Sequence, residues 1–256
     1  MSVDSVRRLP VEVYREAVVG EAARLAELVR GADLSVMVPA CPEWSLAELV
    51  VHVGGVHRWF TVLLSGLVQE RPDRRALELG LPESVEGYAD WLAAGAGAAV
   101  AVVAATDPDA PMWTWGADGC ARFWARRMVF ETVVHRMDAE AAVGVVSVVD
   151  AGLAADGVDE FLVNLPFAEF FAPAVAGLRG ADEVIRFESV DTGDGWSVRL
   201  GQEGFGLVPD GVGAGAVVRG SAVELLLALY GRRSVEGLAV SGDAGLVGRW
   251  FANSRF

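Results

Sequence analysis

Lysine is absent from this sequence. All 21 of its basic residues are arginine, set against 35 Asp and Glu, for a formal net charge of −14. Nucleic-acid binders display a basic stripe or patch. The densest basic spot here, Arg71, Arg74 and Arg75 around Pro72, is short and reads as a solvated loop. The same negative balance opposes docking on anionic membranes. Cysteine is nearly absent too: Cys41 and Cys120 are too few for a disulfide scaffold and lack zinc-like spacing. The most apolar run, about fourteen small residues from Leu92, falls short of the ~20 that a membrane span needs. Residues 1–14 have no apolar core of the secretory-signal kind, so a cytoplasmic protein is expected. Histidine is the other scarce residue, with three in 256 positions.

What is there describes a folded chain. Hydrophobic residues make up 53% and charged residues 22%, and this length serves one large domain or two small ones. Helical periodicity predicts helices over 11–30, 45–65, 84–106, 121–142 and 150–165. Two starts are marked by a capping box, Ser45 with Glu48 and Ser221 with Glu224, in which each side chain satisfies a backbone N–H near the other. PACPEW, before Ser45, reads as a turn. After about Ala181 the pattern changes to short alternating runs with Gly and Asp between them: EVIRFESV, GWSVRLG, GFGLVPD, AVVRG and LAVSG. The expected fold is an N-terminal all-α four-helix bundle over 1–165 and a small α+β domain over 166–256.

The helix over 121–142 carries the sharpest question. MVFETVVHRMD (128–138) is mostly apolar, yet it holds Glu131, His135 and Asp138. Residues four apart are separated by only about 40° around a helix axis, so Glu131 and His135 share a face, with Asp138 within roughly 20° of Glu131. A buried carboxylate needs a cation or a metal, and His with a carboxylate is an ordinary divalent-metal pair. A third ligand would have to come from the other histidines, His52 or His57, which point about 140° apart on their helix. His52, among Leu49, Val50 and Val53, is the favoured one, leaving His57 at the surface or just outside the ligand set. Spacing alone does not settle the matter, since an i,i+4 Glu–His pair is often just a surface ion pair.

VPACPEWSLAELVVHVGGVHRWF and ARRMVFETVVHRMDAEAAVG together resemble the mycothiol-dependent maleylpyruvate isomerase family. The match runs through Cys41, Pro42, Trp44, His52, Gly54, Gly55 and His57, then Glu131, His135, Arg136, Asp138, Ala139 and Glu140. Family members often carry His where Phe130 stands, about 100° from Glu131 on the helix. The resemblance implies a DinB-like metal-binding bundle and a sterol-carrier-protein-like second domain, the latter similar over VRGSAVELLLALYGRR. It implies His52, Glu131 and His135 as ligands of a divalent ion, zinc in the first instance. Two His and one carboxylate leave a coordination position open, where a thiol becomes thiolate. The thiol implied is mycothiol, the small thiol of actinobacteria, in keeping with a lysine-free, Ala-, Val- and Gly-rich sequence from a GC-rich genome. A metal-bound thiolate attacking a small electrophile gives cis–trans isomerisation or S-transfer. Asp138 would orient His135 or the thiol, or pair with an arginine, and Arg136, Arg219 and Arg232 are the candidate cations for an acidic substrate. Trp44, Trp59, Trp113 and Trp115 read as packing, with the Trp113–Trp115 loop a candidate pocket mouth, and Cys41 as structural. The competing expectations are another metal-dependent enzyme of secondary metabolism on this scaffold and a non-catalytic binding or regulatory protein. No nucleic-acid or membrane partner is expected, and the chain would act as a monomer or homodimer.

Overall fold

The computed structural model describes residues 9–73, 77–209 and 211–255. Arg74 and Arg75 of the basic spot, and residues 1–8 of the N-terminal stretch, lie outside the described residues. The chain divides into two compact units, one of Leu9–Thr114 with Asp118–Val148, the other of Trp115–Ala117 with Val149–Phe256.

The first unit is the helical bundle. Its helices are α1 (Val11–Gly31), α2 (Leu46–Ser65), α3 (Tyr88–Ala105) and α4 (Ala121–Ala142). Both α1 and α2 pack against α3 and α4, which closes the four into a ring. α2 begins where its capping box places it: Ser45 accepts from Glu48 N–H, and the Glu48 carboxylate accepts from Ser45 N–H at 2.7 Å. Leu25, Leu46, Leu49, Val53 and Leu92 share one buried core cluster, and Phe60, Val129 and Phe130 are fully buried as well. PACPEW is more than a turn. Cys41–Ser45 forms strand β2, paired antiparallel with β1 (Met37–Val38) through an irregular register. Leu46 and Ala47 N–H then donate to Val36 and Leu34 carbonyls, at 2.8 and 2.9 Å, so the hairpin is tied to the first turn of α2.

Segment Val85–Ala105, a 3-10 turn running into α3, is long and apolar enough to cross a membrane by length and composition. Here it packs on α1 and α2 through small residues, Ala89, Gly95, Ala96 and Ala99. Small side chains let helices approach closely, and Gly54 on α2 shows how closely. A Cβ there would stand 2.0 Å from Trp91 Cζ3. The indole has little freedom to yield: its Nε1 donates to Leu79 O at 3.0 Å, and the Arg58 guanidinium covers the ring at 3.9 Å while donating to Trp91 O. Gly54→Ala is therefore expected to destabilise the protein by about 3 kcal/mol, the top of the usual overpacking range. Thermal unfolding checks this; an unchanged midpoint would show that Trp91 repacks freely.

The second unit is α+β. A five-stranded sheet runs β5 (Phe205–Val208), β4 (Gly195–Leu200), β3 (Glu183–Ser189), β6 (Ala216–Gly220), β7 (Ala239–Gly242). β3 and β6 pair in parallel and the other neighbours are antiparallel. Period-2 alternation sends Ile185 and Phe187 into the core, where Trp250 of α7 (Ala244–Asn253) packs 5.4 Å from the Phe187 ring. α6 (Ala222–Leu229) opens on the second capping box, at Ser221 and Glu224, and packs against α5 (Ala151–Asn164).

Candidate metal centre

α4 is buried along nearly its whole length, from Ala121 to Ala139, because α1 and α2 flank it. Several of its polar side chains are enclosed and have partners across the bundle or along the helix. Glu131 meets α2. Its Oε1 lies 2.9 Å from His52 Nε2 and 3.5 Å from His135 Nε2. The three groups each offer one ligand atom, and these atoms lie within 4.8 Å of one another. The other oxygen, Oε2, accepts from Arg127 Nη2 at 2.9 Å, one turn earlier on α4. Asp138, one turn after His135, lies 3.0 Å from His135 Nδ1. In the neutral imidazole, with Nδ1–H donated to that carboxylate, the His135 lone pair is left on Nε2, the atom aimed at the cluster.

Charge balance follows this geometry. Burial pushes the Glu131 carboxyl up, but hydrogen bonds from His135 and His52 and the Arg127 charge outweigh it and hold it well below the ordinary range. For His135 burial works downward, and the hydrogen bonds to Asp138 and Glu131 win, so its pKa is raised. The donor set suits a divalent ion. Bonds of about 2.0 Å in tetrahedral geometry put zinc ligands about 3.3 Å apart, close to the two separations from Glu131 Oε1. The carboxylate behind His135 is the usual partner of a ligating imidazole.

Trp44, on β2, stands beside this cluster, its ring 4.8 Å from His52 and 6.2 Å from His135. It is a wall of the site as well as a packing residue, which its sequence context did not disclose. Trp59, Trp113 and Trp124 form an aromatic cluster of their own, and Trp115 packs on Phe171. Cys41 and Cys120 are not disulfide-bonded, and the latter is buried beside Asp118 and Arg122.

Two expectations need correction. Of the two places expected for His57, the surface is excluded: it is fully buried, with Nε2 2.9 Å from Thr132 Oγ1. Thr132 gives its own proton to Met128 O at 2.8 Å, so His57 Nε2–H is the donor. Its Nδ1 then has no hydrogen-bond partner among the described residues. Arg136 is no substrate cation. It is 1% exposed and is taken up by Glu21 of α1, by Glu140 one turn on, and by Val148 O at 3.1 Å. In the second unit, Arg219 Nε donates to Glu188 across the β3–β6 pair at 2.5 Å, and Arg232 Nη1 donates to Tyr230 O at 2.7 Å.

His57 gives a pH prediction. Burial, chiefly, pushes its pKa down from 6.5 to about 4, with Glu131 opposing and Arg58 assisting. The unfolded chain then binds more protons than the native one between those values. Stability from this group is complete above about pH 6.5 and is lost as pH falls toward 4, by about 3 kcal/mol in all. His57→Gln keeps an N–H donor for Thr132 and removes the titration. In metal-free protein its unfolding free energy should fall by about 3 kcal/mol less than wild type across that window. Parallel pH profiles would refute the assignment.

Two domain models match the sequence. The mycothiol maleylpyruvate isomerase N-terminal domain covers residues 15–140, and the MDMPI C-terminal domain covers 152–249. Among solved structures, a mycothiol-dependent maleylpyruvate isomerase aligns with a TM-score of 0.63 at 14% identity, over 92% of this chain and 95% of that one. A histidine-to-alanine mutant of a mycothiol-dependent maleylpyruvate isomerase aligns at 0.62, also at 14% identity and with the same coverage. At that identity the likeness is one of fold. No curated protein matches the chain.

Proposed function

The chain belongs to the mycothiol maleylpyruvate isomerase family, and from that premise we propose that it is a divalent-metal-dependent enzyme that uses mycothiol on a small electrophile. The observation that carries this is the convergence of His52 Nε2, Glu131 Oε1 and His135 Nε2 from two helices, all within the residues matched by the N-terminal domain. A divalent cation, zinc first, held by these three supplies the positive charge that converts a thiol to its nucleophilic thiolate at neutral pH.

The protein's own part is placement. Asp138 fixes the His135 ring and tautomer, Arg127 anchors the far oxygen of Glu131, and the Trp44 indole shields one flank of the cluster from water. Addition of the thiol to a conjugated cis double bond, rotation about the resulting single bond and elimination would give an isomerase. Retention of the thiol on the electrophile would give an S-transferase. The reading places this chemistry in the cytoplasm.

Metal analysis of the purified protein, followed by cobalt substitution and titration with mycothiol, tests the reading. Near-stoichiometric metal and a thiol-dependent change in the cobalt spectrum are expected. Protein without metal would indicate a binding or regulatory role. Metal whose spectrum ignores thiol would indicate a different metal-dependent reaction on the same scaffold. Screening electrophiles by mass spectrometry in the presence of mycothiol then separates isomerisation, which leaves mass unchanged, from conjugation, which adds the thiol.

A further inference from the structure

Glu131 presents its two oxygens to different worlds. Oε1 faces both imidazoles, while Oε2 is held 2.9 Å from Arg127 Nη2. Arg127 is itself almost fully buried, its side chain 7% exposed, and lies one helical turn before Glu131. The spacing puts both side chains on one strip of α4, and burial makes the ion pair hard to exchange for water. A carboxylate binds a cation through one oxygen or through both. Binding through both would require Oε2 to turn away from a buried guanidinium and leave it without that acceptor.

Resting on the metal reading above, we propose that Arg127 is a positioning residue that confines Glu131 to coordination through Oε1 alone and so preserves a coordination position for the incoming sulfur. Three donor atoms then hold the ion, and a tetrahedral centre has one place left. The same ion pair draws electron density from the carboxylate. Glu131 becomes a weaker donor and leaves the ion more positive toward a thiol. Neither effect requires Arg127 to touch substrate.

The test uses cobalt-loaded full-length protein with 2-mercaptoethanol as the probe thiol, comparing wild type, Arg127→Gln and Arg127→Lys. In Arg127→Gln the second oxygen should swing onto the ion. The visible bands should lose intensity as coordination rises, metal should be retained, and thiol binding should weaken by about 10- to 100-fold, the range typical of changes just outside a ligand set. Arg127→Lys keeps a cation beside Oε2 and should recover much of the wild-type spectrum. A merely structural role for Arg127 would lose metal and thiol binding together, and that result overturns the proposal, as does an unchanged spectrum with unchanged thiol affinity. Wild-type protein alone supplies a further reading should a variant not fold: X-ray absorption of the zinc form should give a one-oxygen carboxylate. A two-oxygen carboxylate overturns the role of Arg127 and leaves the metal reading intact, whereas wild-type protein that takes up neither metal removes both.

Discussion

Glu131→Ala protein is expected to purify without metal and to develop no protein-bound cobalt spectrum. The change deletes the one oxygen that both imidazoles approach, at 2.9 and 3.5 Å. What remains is two nitrogens on different helices with nothing between them. Loss of a direct ligand should exceed the roughly 10- to 100-fold penalty of removing an outer partner, which is what Asp138→Asn should show. His135→Ala should match Glu131→Ala. His57→Ala, which removes an imidazole hydrogen-bonded to Thr132 and outside the donor set, should retain metal. Elemental analysis of the purified variants decides the matter. Equal loss in all three would mean that the helix face has been misassigned, and full retention in Glu131→Ala would end the metal reading.

The second large effect lies one residue beyond His135 and concerns stability alone. Arg136→Leu removes a buried cation shared by Glu21 and Glu140, and Glu21 is itself only 6% exposed. Breaking such a group by deleting one partner costs about 3–5 kcal/mol, because the carboxylates stay buried without their counter-charge. A fall of roughly 10 °C in melting temperature is expected for a chain of this size. Adding Glu21→Gln should recover part of the loss, since it removes one of the stranded charges. If the double variant is no better than the single one, the carboxylates are relieved by some other means. Metal affinity, measured below the melting range, should survive in both.

These two neighbours show what a sequence can disclose. The helices of the bundle were legible because each combines apolar periodicity with a local stop or start, and the capping boxes at Ser45 and Ser221 are local chemistry. The strands of the second unit followed from alternation. The hairpin at Met37–Ser45 was not legible, because a two-residue strand has no period and its pairing with Cys41–Ser45 is irregular. At the site, the common face of Glu131 and His135 came from helix geometry, and the family resemblance supplied His52. A helical wheel gives direction without saying what stands there. His57 points away from His52, yet α2 is covered by α3 on one side and α4 on another, so both directions lead into protein. Arg136 looked like a free cation beside a ligand because Glu21, which claims it, lies 115 residues earlier. The Arg127–Glu131 pair has the same i,i+4 spacing as Glu131–His135, so it too is local chemistry of the helix.

The donors are divided between α2 and α4, with His52 and Glu131 79 residues apart. An ion bound there would clasp two helices whose connection includes all of α3. Only the folded bundle brings the three atoms together, so occupancy and folding are linked. At free metal a hundredfold above its dissociation constant, the clasp adds about 2.7 kcal/mol to the native state. Chelators should accordingly lower the heat resistance of the bundle in any preparation that carries such an ion.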